Sequence, residues 1–490
     1  MGKKTLSQEQ RKSDIFHMLR HITIISLTCY LTAILLFYFL AGEQLHLRDS
    51  RGNFSSLSPE SGTVELAVGN IVQQKFTVKI QRLEQVSIQW GTYYRQNKGT
   101  ILVELKNISS GQCLLSQIFD ASVIKENDFI TLTAKDPLEG VYQVPLILSI
   151  TSDGYPGSSP SPMMNHQQME EISGELLLNG NPVEGTLCFS VQGTDYIWTG
   201  IHYWKFAAAG FVLLIFLLAA IWHRWKNGKR SYIINTLVAI QKYRFLIRQL
   251  VARDFKTKYK RSVLGMFWSF LNPLLTMSVQ YFVFSTLFRS DIPNYPAYLL
   301  IGIVTFNFFS ESCSMALSSV VGNAGLITKV YMPKYIYPLT RVISSVINLG
   351  ISLIPLLLVS FLTGIQFHRS ALLSFYFLIC VIIFSLGLGL LLSSAMVFFR
   401  DTQFLWGVLS MIWMYATPIF YPESILPDNF KIILRINPMY HFLKNIRICI
   451  LDGISPEPVV YIQCLLIALI ALTIGLLIFY KSQDRFVLYL

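Results

Sequence analysis

Runs of about 20 apolar residues with almost no charge recur along this chain, and they rule out most soluble folds. A helix of that length crosses a ~30 Å hydrocarbon core. Only 14% of the 490 residues are charged, against roughly a quarter in soluble domains. The expected spans are Ile22–Ala41, Phe206–Trp222, Val263–Leu287, Ala297–Val320, Val342–Leu362, Ala371–Val397, Phe404–Phe420 and Val459–Tyr480. The predicted fold class is mixed. An α-helical polytopic membrane protein of about eight spans carries one polar insert: two spans flank it, and a six-span core follows.

The insert differs in kind from its surroundings. Lys75–Ile80, Ser87–Trp90, Ile101–Leu105, Phe129–Leu132 and Gln143–Ile150 alternate with period two, as half-buried strands do. Gly, Asn, Asp and Pro clusters separate them, which predicts an all-β sandwich over residues 42–197.

Charge orients the chain. Lys3, Lys4, Arg11, Lys12 and Arg20 precede the first span, so residues 1–21 form a cytoplasmic N-terminus and 22–41 an anchor. A signal peptide is the alternative; the run is longer than an ordinary h-region and no Ala-x-Ala site follows it. Within 42–197 acidic residues outnumber basic ones, so the sandwich should be extracytoplasmic. After the second span (198–222), Arg224–Arg261 holds twelve Lys/Arg and one acid, Asp254. By the positive-inside rule this linker, 223–262, is cytoplasmic. The core, 263–490, then alternates so that both termini lie inside. The net charge of +12 thus serves membrane orientation, with no basic face of a soluble module to bind nucleic acid.

Of seven cysteines, Cys29, Cys313, Cys380, Cys449 and Cys464 lie in or near apolar runs. Cys113 and Cys188 fall in the insert and could pair in an oxidising compartment. No CxxC or HExxH suggests a metal.

Tyr243–Arg261 interleaves Phe245, Leu246, Leu250, Val251, Phe255 and Tyr259 with seven basic residues. That spacing predicts an amphipathic helix in the headgroup plane, either an anchor on membrane lipids or a docking surface for a cytoplasmic partner. Glu311 sits inside an apolar run, where a carboxylate costs about 2.5–3.5 kcal/mol on insertion scales, so it should face a cavity, cap a helix or lie near headgroups. Pro418, Pro422, Pro427 and Pro438 forbid a continuous helix; broken backbone at membrane depth must be covered by protein. A plain surface loop is the alternative.

The ordered set Arg253–Asp254–Phe255–Lys256–Thr257–Lys258–Tyr259–Lys260–Arg261, Trp268, Asn272–Pro273, Asn307–Phe308–Phe309–Ser310–Glu311, Asn323–Ala324–Gly325–Leu326–Ile327, Tyr331–Met332–Pro333, Phe399–Arg400–Asp401, Thr417–Pro418 and Asn437–Pro438–Met439 resembles the permease subunits of polysaccharide-export ABC transporters, which serve O-antigen, capsule and teichoic acid. The resemblance covers about residues 240–490. It implies a homodimer joined to two copies of a separate ATPase, moving a lipid-linked polysaccharide across the bacterial inner membrane.

Arg253, Asp254, Lys256, Lys258, Tyr259, Lys260 and Arg261 would then couple to the ATPase, and Asn323, Leu326, Lys329, Pro333 and Lys334 would form the substrate entrance. Trp268, Tyr281, Phe306, Phe309, Glu311, Trp413, Tyr415 and Phe420 are channel candidates, although most such aromatics are core or interface belts. The chain has no GxxxxGK[ST], so it needs no cofactor of its own, and ATP and Mg²⁺ would bind the partner. An exporter of another lipid or drug shares this architecture. A glycan receptor would need a signalling domain, and a glycosyltransferase an acid pair; neither is evident.

The usual family lacks the insert. Its segments Gln89–Thr100 and Glu126–Phe129 resemble jelly-roll sandwiches of membrane proteins that handle bacterial glycans. Trp90, Tyr93 and Tyr94 could stack on sugars, with Arg95, Asn97 and Asp128 bonding hydroxyls. Period two would put Trp90 and Tyr94 on one face, which fits core packing equally well.

Overall fold

The computed structural model describes residues 2–53, 59–166, 174–227, 232–259, 263–288, 292–328 and 332–490. The chain forms two compact units: His46–Ile201, and Met1–Leu45 with His202–Leu490.

Helix α1 (Gly2–Ala41) opens the larger unit. The smaller unit holds strands β1 (Leu47–Asn53), β2 (Ser61–Gly62), β3 (Ile71–Thr77), β4 (Arg82–Gly91), β5 (Thr100–Asn107), β6 (Cys113–Asp120), β7 (Phe129–Glu139), β8 (Pro145–Ser152), β9 (Ser161–Asn165), β10 (Leu176–Leu178), β11 (Asn181–Val183), β12 (Thr186–Leu187) and β13 (Phe189–Tyr196). A short helix α2 (Trp198–Ile201) closes it. One sheet runs β1-β13-β4-β9-β12 with β7 on β4 and β2 on β9; the other runs β11-β10-β3-β8-β5-β6. The strand pairings are antiparallel.

Period two drives the assembly. Ile101, Val103 and Leu105 of β5 and Leu146, Leu148 and Ile150 of β8 are fully buried, while the residues between them are partly or wholly exposed or polar. They share one core with Leu83, Val86 and Ile88 of β4 and Val191 of β13. Phe76 meets Phe189 edge-on across the sandwich at 5.0 Å.

The possible disulfide is not formed. Cys113 is exposed at the start of β6, and Cys188 is buried between β12 and β13 of the opposite sheet. Burial, with Glu60 nearby, pushes the Cys188 thiol up to about 11.

The larger unit continues with α3 (Tyr203–Lys226), α4 (Tyr232–Lys242), α5 (Arg244–Tyr259), α6 (Phe267–Phe288), α7 (Tyr295–Leu317), α8 (Ala324–Ile327), α9 (Ile336–Leu362), α10 (Ser374–Phe398), α11 (Thr402–Tyr415), α12 (Asp428–Ile436), α13 (Pro438–Arg447), α14 (Pro458–Ser482) and α15 (Phe486–Tyr489). Among the described residues, six helical stretches are long and apolar enough to cross a membrane: those built on α1, α3, α7, α9, α10 and α14. Helix α6, at 22 residues, has the length but carries Ser269, Asn272, Thr276, Ser278, Gln280 and Ser285. The expected span Phe404–Phe420 is corrected. Helix α11 has only 14 residues, about 21 Å, and the chain turns irregular at Thr417–Pro418.

Helix α7 is mostly enclosed, whereas α1 and α3 present nearly all their apolar side chains outward, as lipid-facing helices do. Tyr30 donates to the carbonyl of Ala207 and Tyr203 to that of Ile34, joining α1 to α3. Helices α10 and α14 cross backbone to backbone: a Cβ on Gly387 would strike Leu472 and Ala471, and one on Gly475 would strike Gly387. Small residues permit such approach within a bilayer.

Candidate functional site

A polar cleft of about 660 Å³ opens in the larger unit where α5, α7, α9 and the turn before α8 converge. Leu250, Asp254 and Lys258 of α5 are spaced i, i+4, i+8 and share one face. Leu250 packs into an apolar cluster with Val320 and Tyr337, which turns the next two residues inward. Asp254 is only 5% exposed. Its Oδ1 lies 3.0 Å from the guanidinium of Arg253 and 3.2 Å from that of Arg341 on α9. Arg253 also donates to Oδ1 of Asn323 at 3.3 Å, and Asn323 donates to the carbonyl of Ser319 at 2.7 Å. One turn on, Lys258 reaches Glu311 of α7 at 2.6 Å, and Asn348 of α9 donates to the same oxygen at 3.0 Å. Glu311 therefore faces a cavity, in line with the cost of leaving a carboxylate among apolar side chains.

The cleft unites residues expected to have separate roles. Arg253, Asp254 and Lys258 line it together with Asn323 and Glu311. Asp254 and Lys258 thus turn toward α9 and α7, Asp254 buried and Lys258 still partly open to solvent, while Lys256 is exposed and lines no part of the cleft. Lys260, Arg261, Lys329 and the side chain of Tyr259 lie outside the described residues. Lys334 is not at the cleft: it donates to the carbonyl of Gln483 and sits 5.7 Å from the Phe486 ring, tying α9 to the C-terminal turn. Leu326 packs against the Val320–Tyr337 cluster, and Pro333 precedes α9. Arg341 was not foreseen. It is the first cation of a long apolar run, and only its pairing with Asp254 across the fold reveals it.

The channel candidates divide. Phe306, Phe309 and Phe420 are buried in the core and cannot touch a passing chain in this conformation, which corrects their expected role. Trp413 is half-buried against Phe309, and its indole N–H donates to Asn437 at 2.7 Å. Trp268, Tyr281 and Tyr415 are exposed. The Asn437–Pro438–Met439 motif is a helix start: Asn437 caps α13 by accepting from the N–H of Met439 and Tyr440, and donates to Thr417 at 2.9 Å. Arg447, also unforeseen, closes the same region. Buried at the end of α13, it donates to the carbonyls of Pro418 (2.6 Å), Ile419 (3.0 Å) and Tyr298 (3.1 Å).

In the sandwich, Trp90 is fully buried and Asn97 nearly so, which removes both from any binding surface. Strand β4 ends at Gly91, so the period-two argument linking Trp90 to Tyr94 fails at the turn. Asp128 caps the N–H of Phe129 at 3.0 Å. Arg95 pairs with Glu65 and lies 4.9 Å from the Tyr93 ring. Glu126 organises the loop, accepting from the N–H and hydroxyl of Thr92, both at 2.7 Å, and from the N–H of Tyr94 at 3.3 Å.

These bonds, led by the Thr92 hydroxyl, hold the Glu126 carboxyl below its usual range although partial burial opposes them. A lowered folded value means stability present above about pH 4.3, the unfolded value, and lost as pH falls through the folded value. Glu126→Gln should lower sandwich stability by about 1 kcal/mol at pH 7 and flatten its loss on acidification, read by thermal unfolding at pH 7 and pH 4. Equal unfolding profiles for the two proteins would show that the carboxylate does not hold the loop.

Residues 246–451 match the family model described as ABC-2 type transporter. The chain is 31% identical over 243 residues to the O-antigen export system permease protein RfbA of Klebsiella pneumoniae, covering 49% of this chain and 93% of that protein. It is 29% identical over 256 residues to the RfbA permease of Myxococcus xanthus, covering 52% and 98%. It is 23% identical over 247 residues to the polysialic acid transport protein KpsM of Escherichia coli, covering 49% and 93%. About half of this chain, therefore, accounts for nearly the whole of each relative. The clustered cleft, the broken segment around Pro418 and the apolar helices all fall within the unit that carries the match, and the chain belongs to the ABC-2 type transporter membrane family.

Proposed function

We propose that this chain is the membrane-spanning subunit of an ATP-driven exporter that carries a lipid-linked polysaccharide across the bacterial cytoplasmic membrane. What supports the reading most is α5. It borders the polar cleft, with Arg253, Lys258 and Arg341 set against Asp254 and Glu311. It also borders a largely apolar groove of about 510 Å³, lined by Ile240, Ile247, Val251, Phe255, Ile343 and Ile347 with Arg244 and Arg248 beside them. A cargo with an anionic phosphate head and a hydrocarbon tail needs both surfaces. Three cations attract the phosphate, and two carboxylates lower the net charge so that the head can leave. The relatives named for export of O-antigen and transport of polysialic acid favour a glycan over a drug.

The energy comes from elsewhere. With no phosphate-binding loop in this chain, ATP and Mg²⁺ bind a separate ATPase. Two copies of each subunit would form the transporter, with the channel between the two permeases. A push on α5 reaches α9 through the largely buried Asp254–Arg341 pair and α7 through the partly exposed Lys258–Glu311 pair, since rigid helices joined by ion pairs move together.

Glu311→Gln keeps the side-chain shape and removes the charge that holds Lys258. Surface polysaccharide should fall by about tenfold while membrane insertion and co-purification of the ATPase stay unchanged. Normal surface polysaccharide from a well-expressed variant would remove Glu311 from the mechanism, and a chain that brings down no ATPase would remove the exporter reading itself.

The basic stretch Arg224–Arg261 supports a cytoplasmic α4 and α5, with both termini on that side and the sandwich outside. A membrane-impermeant maleimide applied to spheroplasts should therefore label exposed Cys113, and Cys113→Ser should lose most of the signal. Cys188, buried and held as thiol, should stay unlabelled. Labelling of Cys113 only after lysis would invert the topology.

A further inference from the structure

Three loops meet at the end of the sandwich where β4 stops. Residues 92–98 are joined to 153–161 by Lys98 N–H to the Ser158 carbonyl (2.8 Å), Arg95 to the Ser159 carbonyl (3.1 Å) and Glu65, which accepts from Gly157 and Ser159. They are joined to 124–128 by Glu126 and by Asn127 N–H to the Trp90 carbonyl (2.9 Å). Tyr93 and Tyr94 both occupy left-handed backbone, at φ 56° and 55°. Bulky residues rarely tolerate that conformation, and two in succession persist only where surrounding bonds enforce it. Here Glu126 grips the backbone on both sides of Tyr93, while Ser161 bonds the Tyr93 hydroxyl and Arg95 lies against its ring.

The outcome of that strain is exposure. Tyr94 is 88% exposed, Tyr155 of the adjoining loop 76% and Tyr93 49%. A sandwich with a well-filled core gains nothing in folding from aromatic rings standing in water. Rigid planar rings flanked by mixed polar groups are instead suited to the apolar faces of sugar rings, with side-chain donors and acceptors for the hydroxyls. Arg95, Lys98 and Lys125 are balanced by Glu65, Glu126 and Asp128, so the surface has no strong ionic bias.

We propose that Tyr93, Tyr94 and Tyr155 form a carbohydrate-binding platform on the sandwich that takes a neutral stretch of the exported polysaccharide. The proposal rests on the exporter reading for the identity of the ligand. It retains Tyr93, Tyr94 and Arg95 among the expected glycan contacts, drops Trp90 and Asn97, and adds Tyr155.

The test uses the full chain in nanodiscs, titrated with delipidated surface polysaccharide from the producing strain, with dextran as the unrelated glycan. Tyr94→Ala and Tyr155→Ala should each weaken binding of the strain's polysaccharide about tenfold, and Tyr94→Trp should restore it. Tyr142→Ala, an exposed tyrosine at the opposite end of the sandwich, should bind as the parent does. Binding that is absent, equally strong for dextran, or unchanged in the tyrosine variants overturns the platform. Surface polysaccharide of cells expressing each variant is measured in parallel. A parent chain that exports but does not bind condemns the platform alone, whereas a parent chain that supports no export condemns the exporter reading.

Discussion

Replacing Asp254 by alanine should abolish surface polysaccharide while the chain still inserts into the membrane. Asp254 is nearly inaccessible and takes charge from both Arg253 and Arg341 through one oxygen. Removing it leaves Arg341 partly buried with no opposite charge beside it, and breaking such a pair costs about 3 kcal/mol. Arg253 is half exposed and can turn to water, so most of the penalty falls on Arg341. The same substitution severs the link from α5 to α9, so ATP hydrolysis by the purified complex should no longer respond to added lipid-linked glycan. Asp254→Asn separates the two effects. The amide preserves shape and one acceptor but not charge, and should recover part of the stability with little of the coupling. Full export by the alanine variant would mean that α5 does not act through this pair.

Arg447→Met should be the most destabilising single change in the larger unit, at about 4 kcal/mol, seen as a lower thermal midpoint in detergent. The irregular backbone at Thr417–Tyr421 lies between α11 and α12, where helical bonds are unavailable. Its carbonyls must find other donors. The Arg447 fork supplies Pro418 and Ile419, Tyr295 supplies Phe420 at 2.6 Å, and Tyr298 supplies Tyr421 at 2.9 Å. The guanidinium also stacks 3.4 Å over the Tyr298 ring, which an ammonium cannot reproduce while serving two backbone strands. Arg447→Lys should therefore recover less than half the loss. Faster proteolysis after the Pro418–Tyr421 turn would locate the damage, whereas a parental midpoint for Arg447→Met would show that the strap is dispensable.

The fold class was legible because its signals are local. Ile22–Ala41 and Ala371–Val397 are long enough and apolar enough to announce a span from composition, and the buried alternation of Ile101, Val103 and Leu105 appears in the sequence as period two. Errors came where a local signal competed with chain direction. Phe404–Phe420 reads as apolar throughout, but helix α11 is too short to cross, and Thr417 and Pro418 leave the helix to be bonded by Asn437 and Arg447. Trp90 and Tyr94 share a parity that ceases to matter once the strand ends at Gly91. Cys113 and Cys188 share a domain but not a sheet.

Within the cleft, the motif residues Arg253, Asp254, Asn323 and Glu311 were all singled out, yet as members of separate devices. Nothing in sequence spacing places residue 254 beside 341, or 258 beside 311. The i, i+4 spacing of Leu250, Asp254 and Lys258 determined that they share a face, and the excess of lysine and arginine determined which side of the membrane α5 should occupy. Which way that face turns was decided only by tertiary packing. Leu250 entering the Val320–Tyr337 cluster rotates α5 so that its one acid meets Arg341 and Lys258 meets Glu311. Helix rotation depends on apolar contacts summed over the whole fold, and charges then settle where that rotation leaves them.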